Sequence, residues 1–149
     1  KYGHEEIGDE EMAEAAQIAQ ATEFIQAKPD GYDAEIAQGG TNVSGGQKQR
    51  LSIARAIAAK PEILIFDDSF SALDYKTDSA LRRALHEKAG NSTILIVAQH
   101  ISTILHADQI IVLDEGRIVG KGTHEELLRT CEVYQQIATS QMSKEELEK

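Results

Sequence analysis

With 149 residues, the chain has the size of one domain. Its 25 acidic residues against 15 basic ones give a net charge of −10, which argues against nucleic acid as a main partner, because phosphate binding needs clustered Lys and Arg. One cysteine, Cys131, excludes an internal disulfide and fits a reducing compartment, and no apolar run approaches the roughly 20 residues that span a bilayer.

No signal peptide opens the chain, and because residue 1 is Lys and not Met we expect a piece of a longer protein. Acid is concentrated early, in Glu5, Glu6, Asp9, Glu10, Glu11 and Glu14, and reads as a solvated helix face. The first predicted helix runs from Asp9 to Ala27, with Met12, Ala15, Ala16, Ile18 and Ala19 as its apolar stripe. Pro29-Asp30-Gly31 breaks it, and Gly39-Gly40 marks a loop. A second helix should run from Ser44 to about Ala59. Leu51, Ala54 and Ala58 lie on one face with Ile53 and Ile57 beside them, and Pro61 ends it.

Ile63 to Phe66 reads as a strand buried on both faces, and Lys76 to Lys88 as a helix with Leu81, Ala84 and Leu85 inward. Thr93 to Ala98 is a second buried strand. Gln109–Leu113 and Arg117–Val119 are a third and fourth, turned at Asp114-Glu115-Gly116. Thr123-His124-Glu125-Glu126 is a capping box that opens another helix. Ser143-Lys144-Glu145-Glu146 repeats the pattern near a C-terminus expected to fray. The strand, helix, strand order predicts an α/β fold with a parallel or mixed sheet, preceded by a helical front third.

Ser44-Gly45-Gly46-Gln47 is itself an S-x-x-Q capping box. Taken alone it is a structural helix start. The two glycines also strip side chains from that start, so bare amides and the positive end of the helix dipole can face an anion. The apolar strand Ile63–Phe66 ends in the paired carboxylates Asp67 and Asp68. No G-x-x-x-x-G-K-[ST] phosphate loop is present. Gly116-Arg117-Ile118-Val119-Gly120-Lys121-Gly122 resembles one only loosely; it is one residue short, ends in Gly122 and overlaps a strand, so a β-hairpin is the better reading. His4, His86, His106 and His124 lack metal-ligand spacing and read as surface or capping residues.

Val43-Ser44-Gly45-Gly46-Gln47-Lys48-Gln49-Arg50, followed by Ile63-Leu64-Ile65-Phe66-Asp67-Asp68, resembles the signature sequence and Walker B strand of ATP-binding cassette (ABC) ATPases. The resemblance covers nearly the whole chain and is strongest to bacterial exporter domains. It implies a P-loop NTPase fold that is incomplete here. Residues 1–60 would be the helical subdomain with the signature, 61–138 the C-terminal part of the ATP-binding core, and 139–149 a frayed tail. The Walker A part, and Tyr2 as the adenine-stacking aromatic, are not expected in this chain.

By the same resemblance ATP and Mg²⁺ are the cofactors. Ser44, Gly45, Gly46 and Gln47 would bind the γ-phosphate of an ATP held by a second nucleotide-binding domain. Asp67 would order the metal. Ser71, Ala72, Leu73 and Asp74 match the D-loop, which crosses to that partner; Asp74 also reads as a helix cap. Val43 stands where Leu is usual. Glu35–Gly40 sits where exporters carry a loop touching the transmembrane domain, with Ala37-Gln38 replacing the usual Gly-Glu.

Two positions depart from the family. Asp68 stands where a Glu polarises the attacking water, and Asp is one methylene shorter, a reach of roughly 1.5 Å. Ala98-Gln99-His100-Ile101-Ser102-Thr103 puts Gln99 at the switch position usually held by His, and an amide does not titrate near neutral pH. Both point to a degenerate, slowly hydrolysing site in one half of a heterodimeric exporter of lipids, drugs or peptides. The parent would also carry a transmembrane domain and place this domain at the cytoplasmic face of the membrane. The isolated chain is expected not to hydrolyse ATP. Two other readings stay open here: the C-terminal lobe of a DNA-repair or chromosome-organising ATPase, and, for the isolated chain, a non-catalytic docking module.

Overall fold

The computed structural model describes residues 6–88 and 92–142. In chain order its elements are α1 (Asp9–Ile18), α2 (Thr22–Gln26), α3 (Gly45–Ala58), β1 (Ile63–Asp67), α4 (Tyr75–Lys88), β2 (Thr93–Val97), β3 (Ile110–Asp114), β4 (Arg117–Gly122), α5 (His124–Thr130) and α6 (Glu132–Gln141). They form two compact units, Lys1–Leu95 and Ile96–Lys149. Tyr2, His4 and the second capping box at Ser143–Glu146 lie outside the described residues.

In the first unit α1 packs on α3 and more lightly on α4. Ala15, Ala16, Ile18 and Ala19 of the expected stripe are buried; from α3 it is Ile53 and Ile57 that go in, and from α4 Leu81 and Leu85. Leu81 is fully buried, and burying a leucine contributes roughly 1.5–3 kcal/mol. Small alanines on α1 let the helices approach closely. Glu11 is held to Lys60 at 2.5 Å and accepts from the Gly8 amide, so the acidic face is partly engaged at its start.

The expected single helix over Asp9–Ala27 is two helices. Gln20 takes a left-handed backbone, φ 56°, between α1 and α2. The turn is closed by Ala21 N–H donating to the Ala16 carbonyl and by the Gln20 side chain donating to the carbonyls of Gln17 and Ile18. Arg50 holds the corner from α3: Nη1 donates to the Gln20 carbonyl at 2.8 Å and the guanidinium lies 4.7 Å from the centre of the Phe24 ring. Neither Gly nor Pro marks this break, so local chemistry gives no sign of it.

β1 and β2 pair in a two-stranded sheet, and β3 and β4 form a second, antiparallel one with an irregular register between Val112 and Leu113. β1 was expected to be buried on both faces and is not. Leu64 and Phe66 are buried, while Ile63 and Ile65 are 60% and 65% exposed; among the described residues of this unit no element covers that side. β2 was also expected to be buried and is not: none of its five residues is buried, and Leu95 and Val97 are about half exposed. Apolar strand surface of this kind drives association. The isolated chain should therefore show a size that grows with concentration in sedimentation or light scattering. A sharp monomeric unfolding transition at every concentration would contradict this.

The second unit is built on the β3–β4 hairpin with α5 and α6. Its core holds Ile101, Ile110, Val112, Leu127, Cys131, Tyr134 and Ala138. The Thr123–Glu126 capping box is formed at both ends, opening α5. The glycines that suggested a phosphate loop serve this hairpin. Gly116 turns it with φ 76°, and a Cβ on Gly120 would lie 2.7 Å from Cys131 Sγ. His124 is not a plain surface residue: its Nδ1 lies 2.8 Å from the Tyr134 hydroxyl, and burial lowers its pKa below the usual imidazole value.

Candidate functional site

The residues singled out in the first unit converge on the start of α3 and the end of β1. Ser44 is extended, φ −70° and ψ 163°, and stands as the N-cap of α3. Its hydroxyl accepts from the Gln47 amide at 3.2 Å, while the Gln47 side chain accepts from the Ser44 amide at 3.0 Å. Gln47 is thereby committed to the cap. Ser44 and Gly45 are exposed, so the helix start presents backbone amides to solvent at the positive end of the dipole.

The preceding loop is closed in part by Asn42, for which the sequence suggested no role. The Asn42 side chain donates to the Glu35 carbonyl at 2.8 Å and accepts from the Ala37 amide at 3.0 Å. Gly39 and Gly40, with φ 76° and 68°, turn the chain, and Lys48 Nζ donates to the Gly39 carbonyl at 2.9 Å. The 35–42 loop is thus fastened to α3.

β1 delivers Asp67 and Asp68 to an open groove of about 330 Å³, lined also by Gly45, Lys48, Gln49 and Ser69. Both carboxylates are exposed. Asp68 has φ 48°, the left-handed region, which a β-carbon makes unfavourable and which surrounding bonds must maintain. Phe66 and Phe70 pack with ring centroids 5.3 Å apart and planes inclined at 51°, at the two ends of the 67–69 turn. Ser69 and Ser71 hydroxyls donate to the carbonyls of Asp67 and Asp68.

Asp74 is a helix cap. Its carboxylate accepts from the Thr77 amide at 3.0 Å and from the Thr77 hydroxyl at 2.7 Å, and these bonds lower its pKa. Ser71 and Ala72 are exposed and Leu73 is half buried. Gly46 is tight against this loop: a Cβ there would lie 2.9 Å from the Ala72 carbonyl oxygen. Gly46 is therefore required for close approach as well as for a bare helix start. Gln49, which drew no role in the sequence, spans the same gap with its amide group.

Gln99 belongs to the second unit. It is exposed, and its carbonyl accepts from the Gln141 side chain at 2.9 Å, while Gln141 accepts from the Ile101 amide. Gln141, more than forty residues from β2 in the chain, gave no signal in the sequence. Among the described residues, no group of three His, Cys, Asp or Glu is placed to hold a metal alone, and no helix is long and apolar enough to cross a membrane.

The family model for ABC transporters matches residues 3–71. An uncharacterised ABC transporter ATP-binding protein of Mycobacterium tuberculosis is 50% identical over 135 residues, which cover 91% of this chain and 23% of that protein. A Staphylococcus aureus protein named as a multidrug export ATP-binding/permease protein is 47% identical over 133 residues, covering 89% of this chain and 23% of it. Among solved structures, a bacterial Atm1-family ABC exporter with ATP bound superposes with a TM-score of 0.89 and 36% identity, over 96% of this chain and 25% of that one. The chain thus spans about a quarter of the length of the curated relatives it matches.

Proposed function

We infer the function from the family: the chain belongs to the ABC transporter ATP-binding proteins and carries part of their P-loop NTPase fold. In our reading the full-length protein uses ATP hydrolysis to drive export across a membrane. Its ATP-binding part faces the cytoplasm, joined to a transmembrane domain and paired with a second nucleotide-binding domain. The names of the Staphylococcus aureus relative and of the Atm1-family neighbour support export.

The observation that carries the reading is local. Ser44 and Gln47 cap each other, leaving the glycine amides of the α3 start free to take an anion, on the same body as the Asp67–Asp68 pair. Ser44, Gly45 and Gly46 hold the γ-phosphate of the partner's ATP, with Gln47 fixing their geometry. Ser71, Ala72 and Leu73 face the partner, and Asp74 holds that loop at the α4 start. Asp68 and Gln99, by their places in the family's motifs, are the two departures that slow this chain's own ATP hydrolysis. The two chains are then unequal halves of one exporter.

Asp67 fits Mg²⁺ by its donor chemistry. It is an exposed carboxylate beside a second one, without the cage that an all-protein cation site needs. Mg²⁺ is usually bound by one or two carboxylates, with substrate phosphates and waters completing its shell. When bound, the ion neutralises charge on the phosphates. Asp67, at the end of a paired strand, would offer the ion a carboxylate oxygen, and Asp68 next to it would polarise the attacking water from its shorter side chain.

The reading is tested on the purified full-length protein by titrating Mg²⁺ at fixed ATP. Asp67→Asn should raise the Mg²⁺ concentration for half-maximal turnover by about 10-fold or more, the scale seen when a metal site loses a supporting carboxylate. An unchanged Mg²⁺ requirement in the variant would contradict it.

A further inference from the structure

We propose that Gln49 is a positioning residue that locks the loop Asp68–Ala72 onto the first turns of α3, making the phosphate-facing helix start and the partner-facing loop one rigid body. The proposal rests on the reading above, in which Ser44 and its neighbours serve an ATP held across the interface.

Both N–H donors and the oxygen of the Gln49 amide are engaged at one place. Gln49 Nε2 donates to Ser71 Oγ at 3.1 Å and to the Asp68 carbonyl at 3.4 Å. Its Oε1 accepts from the Ala72 amide at 3.0 Å. Ser71 Oγ in turn donates to the same Asp68 carbonyl at 3.1 Å. The three groups that Gln49 reaches are nineteen to twenty-three positions further along the chain, so no local element would bring them together.

Asp68 needs such a hold. Its left-handed backbone is the kind that persists only where surrounding contacts maintain it, and two hydrogen bonds converge on its carbonyl. Gly46 lies one turn before Gln49 on α3 and lets the Ala72 carbonyl press against the helix. Close backbone contact at Gly46 and the amide bridge at Gln49 together leave the loop no independent position. When the helix start engages a phosphate, the loop moves with it.

An amide is the side chain that does this. It donates from one end and accepts at the other. Glutamate has the same length and keeps the bond from Ala72, but it cannot donate to the Asp68 carbonyl. Alanine loses every bond. The cap at Ser44 and Gln47 uses none of these groups, so ATP contacts at the helix start survive both changes.

The test uses the full-length transporter assembled with its partner domain, with turnover normalised to fluorescent nucleotide bound per molecule. Gln49→Ala should lower kcat for ATP by roughly 10- to 100-fold, the cost of a misplacement near 1 Å, while KM for ATP changes less than about twofold. Gln49→Glu should fall between the two, and it carries the same test should the alanine variant bind no nucleotide. An unchanged kcat, or a loss expressed wholly in KM, would overturn the proposal. Ser44→Asp measured alongside separates the failures. If Ser44→Asp removes turnover while Gln49→Ala keeps it, only the positioning role falls. If Ser44→Asp keeps turnover, the reading of the helix start falls, and Gln49 is then judged on its own kcat.

Discussion

Ser44→Asp should leave the fold intact and remove ATP turnover from the assembled transporter. Aspartate is as good an N-cap as serine, so the bond from the Gln47 amide and the start of α3 are kept. What changes is charge: a carboxylate now sits where, in the proposed function, the γ-phosphate of the partner's ATP is received. Two unit charges about 4 Å apart repel by about 4 kcal/mol at an effective dielectric near 20. That corresponds to a loss on the order of 1,000-fold in rate. The variant separates the two meanings of Ser44, because a residue that merely capped the helix would tolerate the change. Thermal unfolding and steady-state ATP hydrolysis, measured on the same preparation, decide it. Full turnover with an unaltered unfolding midpoint would mean that this helix start serves no phosphate.

The second large effect is a gain. Asp68→Glu combined with Gln99→His should restore hydrolysis at the chain's own site. The added methylene returns roughly 1.5 Å of reach to the carboxylate, and a misplacement of about 1 Å can cost on the order of 100-fold. Histidine returns a group that titrates near neutral pH, which the amide of Gln99 cannot do. The gain is read most cleanly in the Ser44→Asp background, where the partner's site is silent. Turnover there should rise by about 100-fold or more over Ser44→Asp alone. A pair that stays inactive would contradict the view that Asp68 and Gln99 are what slows this site.

Features set by neighbouring residues were legible in the sequence. The capping boxes at Ser44–Gln47 and Thr123–Glu126, the Asp74 cap, the hairpin turn at Gly116 and the strand ending in Asp67 each depend on a few adjacent side chains. Features set by residues far apart in the chain were not. The corner at Gln20 is fixed from α3 by Arg50, and nothing between Asp9 and Ala27 marks it. Asn42, Gln49 and Gln141 act only through side-chain amides whose partners are brought close by folding. β1 is a continuous apolar run, a pattern that suits a strand covered on both faces. Which face is covered depends on other segments, and here Ile63 and Ile65 remain open. Gly46 shows the same division: its bare amide was readable from the motif, its contact with the Ala72 carbonyl was not.

The central claim is that this chain lends its helix start to a partner's ATP while its own site turns over slowly. Steady-state ATP hydrolysis of the full-length protein, purified alone and then with its candidate partner subunit, tests that claim most directly. Turnover that is low alone and rises by about 10-fold or more with the partner is the expected result. Full turnover alone, unchanged by the partner, would mean that Asp68 and Gln99 suffice and that two identical chains make the working pair.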